Sequence, residues 1–145
     1  MNIIEVITRA INLGYILGAN AFESVSVDTV LDGRSDPDFE AEWLRIFEDT
    51  KRFPVTAEQE LQLLKLREAA FKAVFAGYGD PEICSYVTDD WDMIARNLVF
   101  SRNNGFLNAL VESYSKGQIP HGPMISSIFD VTSFTGSLQK KIADL

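Results

Sequence analysis

The chain has 145 residues, 46% hydrophobic and 23% charged, and its 13 basic against 21 acidic side chains leave a net charge of −8. That length suits one domain able to bury roughly two thirds of its unfolded surface, and the apolar content excludes a disordered chain. The acidic balance excludes non-specific nucleic-acid binding and works against anionic membranes, while the single cysteine, Cys84, excludes an intramolecular disulfide and fits a reducing, cytoplasmic setting.

From Asn2 to about Phe22, Ile3, Ile7, Ile11, Gly14, Gly18 and Phe22 follow a helical stripe. Two glycines one turn apart on that face would let a neighbouring helix approach closely. The same segment holds an apolar run, Ala10 to Leu17, followed by Ala19-Asn20-Ala21, which fits a signal-peptide cleavage pattern. Glu5 and Asn12 weaken that reading, and the run is shorter than the ~20 apolar residues that span a bilayer. A core helix is expected instead.

Val25, Val27 and Thr29 alternate like a strand, but with no partner strand in view Ser24 to Leu31 is read as helical or irregular, and Gly33-Arg34-Ser35 as a loop. Asp36-Pro37-Asp38 is a strong helix start, pairing a capping side chain with proline at the first position. The helix should run to about Lys51 and stop before Pro54. Phe39, Trp43 and Phe47 recur at four-residue spacing along it, placing one face in a core and an acidic face in water. The segment Asp36 to Glu60 holds eight carboxylates and three basic residues, five of the eight net negative charges.

Thr56-Ala-Glu-Gln59 matches a capping box. In the helix that follows, Leu61, Leu64, Glu68, Phe71 and Phe75 trace one row and Leu63, Ala70 and Val74 a second, with Gly77 as the expected stop. Leu64, Phe71 and Phe75 are expected to be buried together. Gly79-Asp80-Pro81 restarts a short helix through Tyr86, and Thr88 is read as the cap of another whose buried stripe is Trp91, Ile94, Ala95, Leu98 and Val99. Asn103-Asn104-Gly105 breaks it. Phe106, Leu107, Leu110, Val111 and Tyr114 define the next helix, closed by Gly117 and Pro120. Gly77 and Gly117 lie forty residues apart, but the residues between them do not match, so no repeat is inferred. Ile125, Ile128, Phe129 and Thr132 can share one C-terminal face, and Leu138, Ile142 and Leu145 another. The expected fold is a single all-α domain over 1–145, an irregular bundle or orthogonal array of five to six helices.

No catalytic signature accompanies this frame. Asp89, Asp90 and Asp92 are the tightest carboxylate cluster, yet helical positions i, i+1 and i+3 do not converge on one ion, and acids in a first helical turn would offset the macrodipole. His121, the only histidine, sits in a Pro-His-Gly turn without a local partner. No catalytic residue, metal ligand or cofactor is assigned. The residues expected to bind a partner are Asp36, Asp38, Glu40, Glu42, Trp43, Glu48 and Asp49, with Trp43 either an interface anchor ringed by charge or simply core.

No motif identifies a family. The general profile of a small acidic helical domain is shared by bacterial toxin-neutralising immunity proteins. The reading is a non-enzymatic interaction protein that inhibits a basic partner such as a toxin, with no direct nucleic-acid or membrane binding. One alternative is a metal-assisted hydrolase using Asp89, Asp90, Asp92, Glu112 and His121; another is a homodimeric structural or regulatory protein.

Overall fold

The computed structural model describes residues 1–18, 22, 26–123 and 125–145. Among them it is all-helical, with no strand and seven helices: α1 (Ile3–Asn12), α2 (Val27–Arg34), α3 (Pro37–Thr50), α4 (Ala57–Tyr78), α5 (Pro81–Val99), α6 (Gly105–Ser115) and α7 (Val131–Ala143). The Ala19-Asn20-Ala21 tripeptide and Ser24 and Val25 lie outside the described residues. No helix among the described residues is long and apolar enough to cross a membrane.

Helix α1 is shorter than its apolar stripe suggests. An Asn2–Glu5 capping box opens it. Gly14 then adopts φ +79°, donating its N–H to the Ile11 carbonyl at 3.0 Å while the Tyr15 N–H reaches Ala10 at 2.9 Å. That pair of bonds is a Schellman stop, so Gly14 ends the helix instead of offering a packing groove. A Cβ on Gly18 would stand 3.0 Å from the Gly14 carbonyl oxygen; the two glycines approach each other, not a neighbouring helix.

Helix α5 is the centre of the molecule, packing against α1, α2, α3, α4 and α6, while α7 lies on α1 and α6. It runs unbroken through Thr88, which is buried in mid-helix and caps nothing. Ile83, Val87, Asp90, Ile94 and Asn97 form its buried stripe, with Trp91 beside them. The two helices expected between Gly79 and Val99 are one, α5, and α2 takes in Gly33 and Arg34 where a loop is expected; the described residues hold seven helices where five to six are expected.

The Thr56–Gln59 capping box forms as the sequence indicates. Two other features of α4 do not. Its left-handed stop is Gly79, at φ +67°, and not Gly77. Of its two apolar rows the core takes the one with Leu63, Ala70 and Val74, together with Leu66 and Ala69, and the two alanines let α4 close onto α1 and α5. Leu61, Leu64, Phe71 and Phe75 remain exposed. At the C-terminus, residues 125–130 are not helical and Ile128 is fully exposed; Asp130 caps α7, which buries Leu138 and Ile142 but leaves Leu145 outside. The α6 stop is as expected: Gly117 at φ +71° donates to Tyr114, and Gln118 to Ser113.

Burial separates the two rows of α4 experimentally. Leu66→Ala should cost about 2–5 kcal/mol, whereas Leu61→Ala should stay within about 0.5 kcal/mol of wild type. Urea unfolding checks both, and comparable losses would show that α4 is rotated from this orientation.

Candidate functional site

The acidic helix α3 is held at three points along its length. Asp36 caps it, its Oδ1 accepting the backbone N–H groups of Asp38 and Phe39 at 3.1 Å. Near the middle, Trp43 donates its indole N–H to Asp90 Oδ1 of α5 at 2.8 Å. At the far end Asn97 of α5 donates to Thr50 Oγ1 at 2.9 Å. The face turned to the core is therefore Phe39, Trp43, Ile46 and Thr50; Phe47 lies one step round, exposed, and stacks on Trp43 at 5.3 Å and 18°.

Asp90 is the hub of this arrangement. It is fully buried, and its two oxygens accept hydrogen bonds from Arg34 Nη1 at 2.7 Å and Nη2 at 2.8 Å, from Trp43, and from the Tyr114 hydroxyl at 2.6 Å. Arg34 is itself buried, gives a further bond to the Pro120 carbonyl at 3.2 Å, and lies between the rings of Phe39 and Tyr86 at 4.7 and 4.9 Å. Burial opposes its charge, but Asp90 outweighs burial and holds the guanidinium above its ordinary pKa. Burial, and then the Asp90 charge, push the Tyr114 phenol well up, so it stays protonated and donating.

The loop after α6 closes over Arg34. The Gly122 N–H donates to Gly33 O at 3.0 Å, and a Cβ on Gly33 would fall 2.5 Å from His121 Cδ2 and 2.9 Å from the Gly122 nitrogen. Glycine is thus required inside α2 by close approach of backbone. His121 is half-buried against that contact, its Nδ1 2.7 Å from the Ile119 carbonyl, and not in an open turn.

Two cavities open beside Trp43. One of about 240 Å³ is walled by Phe39, Trp43 and Tyr86 with Glu40 and Asp89 at its edge. The other, about 560 Å³, runs from Trp43 and Phe47 across Asp89 and Asp92 to Arg67 and Arg96. Of the residues expected to bind a partner, Glu42, Glu48 and Asp49 are paired within α3 or just beyond it, with Arg45, Lys51 and Arg52, and Asp49 also with Arg102. Asp36 is occupied as a cap. Among the described residues no ion pair reaches Asp38 or Glu40, both exposed.

The three α5 carboxylates do not converge. Asp90 faces the core, while Asp89 pairs with Arg67 at 2.7 Å and Asp92 bonds Arg96 at 2.6 Å, with Arg67 3.7 Å away. Glu112 and His121 join neither pair. Among the described residues no group of three or more His, Cys, Asp or Glu is placed to hold a metal ion. Their position in mid-helix also removes any part in offsetting a helix N-terminus.

Sequence reasoning missed Arg34 and the burial of Asp90. The available signal was the spacing Ile83, Val87, Asp90, Ile94, which puts a carboxylate in line with the apolar stripe and so demands a buried cation.

A comparison with protein-family models matches residues 6–121 to the family described as immunity protein PIM1. The matched range contains α3 and every member of the Asp90 network. No curated protein matches the chain.

Removing one partner of a buried ion pair leaves the other charge uncompensated, so Asp90→Asn should lose about 3–5 kcal/mol of stability in urea unfolding. Trp43→Phe, which removes one donor and keeps a ring, should lose about 1–3 kcal/mol. Gly33→Ala should destabilise too, reversing the gain of up to ~1 kcal/mol that alanine brings elsewhere in a helix. Wild-type stability in Asp90→Asn would show that the network holds nothing together.

Proposed function

Because the chain belongs to the immunity protein PIM1 family, we propose that it neutralises a toxin by binding it directly, and that the toxin is a basic protein engaging α3 and the cavities beside Trp43. Neutralisation by occupation asks for a preformed, rigid surface, and no bond in the chain has to be made or broken. The observation that carries the reading is Glu40, exposed, free of ion pairs and lining the smaller cavity together with Trp43, which stacks on Phe47; Asp38, two residues earlier in α3, is exposed and free of ion pairs too. Free carboxylates attract a cationic surface at long range. Half-buried aromatic rings then supply apolar contact that slows release.

The smaller cavity fits this role. The Trp43 ring and the unpaired Glu40 carboxylate in its lining suit a lysine or arginine side chain, which gains from aromatic contact and opposite charge together. The buried Arg34 does not oppose such a guest, since Asp90 neutralises it. The paired acids Glu42, Glu48 and Asp49 contribute background field more than contacts. The same reading puts the protein in the cytoplasm. The buried Cys84 thiol, pushed up chiefly by burial and then by Asp80, suits that setting as an inert apolar group.

The test is association kinetics with the toxin that the full chain captures. Exposed charges are screened over about 8 Å at physiological salt, so the association rate should fall steeply as salt rises. Asp38→Asn with Glu40→Gln should slow association several-fold and leave the melting temperature unchanged. An association rate indifferent both to salt and to these substitutions would remove α3 from the interface.

A further inference from the structure

Four large apolar side chains of one helix are exposed to water: Leu61 and Leu64, 65% and 64% exposed, and Phe75 and Phe71, 48% and 37% exposed. They form the outer row of α4, almost opposite the row that enters the core. Phe71 and Phe75 stack on each other, centroids 6.2 Å apart and planes 12° apart. Contiguous apolar patches of about 300–600 Å² are the largest that monomers ordinarily expose, and they mark interaction sites.

We propose that this row is a two-fold interface to a second copy of this chain, with α4 packed antiparallel to its counterpart about an axis at Glu68. The spacing of the row supports the pairing. Leu61 and Phe75 stand seven residues to either side of Glu68, and Leu64 and Phe71 four and three residues away. An antiparallel copy therefore sets Leu61 against Phe75 of the second copy and Leu64 against its Phe71, large against smaller at every step. An isologous interface requires that reciprocity: if one residue meets another, the second meets the first.

Charge points to the same occupant. The chain carries −8, but α4 has three acids, Glu58, Glu60 and Glu68, against three bases, Lys65, Arg67 and Lys72. Copies of an acidic protein repel least along a neutral helix, and a basic partner finds no field there to draw it. Glu68 enters the axis already paired with Lys72 of its own chain at 2.7 Å, which lowers the cost of bringing two carboxylates together. The paired length, Leu61 to Phe75, is about 21 Å at 1.5 Å per residue. A single helix pair of this length is a small contact beside the roughly 1,200–2,000 Å² of a standard interface, so the dimer should be concentration-dependent. This interface is separate from the α3 surface and leaves it open.

The test uses the full chain without toxin. Sedimentation at increasing concentration should carry the average mass from one chain toward two. Leu64→Glu, at a position exposed in the single chain, should keep the melting temperature and weaken association at least tenfold. Glu68→Cys places a thiol on the axis, so oxidation should cross-link two chains rapidly; Gln139→Cys, exposed on α7, should not. The buried Cys84 does not interfere. A single-chain mass at every concentration, or cross-linking of Glu68→Cys no faster than of Gln139→Cys, would overturn the proposal. Protection of 61–75 from hydrogen exchange only when toxin is added would assign the row to the toxin and overturn it equally.

Discussion

A single buried carboxylate sets the geometry of the face that α3 presents. Asp90 sits on the central helix fully buried, and an uncompensated charge there would cost several kcal/mol. Four hydrogen bonds compensate it, and the three side chains that donate them come from α2, α3 and α6. None of those helices can shift without uncovering the charge. Their positions are therefore specified by direction as well as by apolar contact, which fat-like packing alone would leave adjustable.

That constraint places the acidic helix. With Trp43 tied to Asp90 and Thr50 tied to Asn97, α3 cannot roll, and its free carboxylates and its Trp43–Phe47 stack keep a fixed relation to the cavities over α5. Trp43 has two roles in consequence: its indole N–H belongs to the core network while its ring lines the open cavities. Removing the whole side chain would confound stability with binding, so the carboxylates are the cleaner reporters of the surface. The ion pairs from Arg67 to Asp89 and from Arg96 to Glu60 tie α4 to α5 on the other side. Hydrogen bonds from Arg96 are the main cause holding the Glu60 carboxyl below its usual range.

Much of the helical content was legible because caps are local. Asp36-Pro37, the Thr56–Gln59 box, Asn104-Gly105 and Gly117 each act within one turn of chain and need no tertiary partner. Thr88 and Gly77 misled for the opposite reason. A buried mid-helix threonine and a glycine two residues short of the true stop look like caps until the neighbouring helix is in place. Choosing between the two apolar rows of α4 was likewise a tertiary matter: the row with the larger side chains lost to the one whose alanines permit close approach. For the proposed site, the acidic segment and Trp43 were visible as composition and spacing. Which carboxylates are paired depends on Arg45, Lys51, Arg52 and Arg102, whose reach only the fold reveals.

The most direct measurement is hydrogen exchange on the full chain, alone and with the toxin it captures. Toxin should slow exchange along Pro37–Thr50 and in the part of α5 between Tyr86 and Met93, leaving α7 at its free rate. Protection confined to α7 or α1, with α3 exchanging as fast as in the free protein, would contradict an interface on α3.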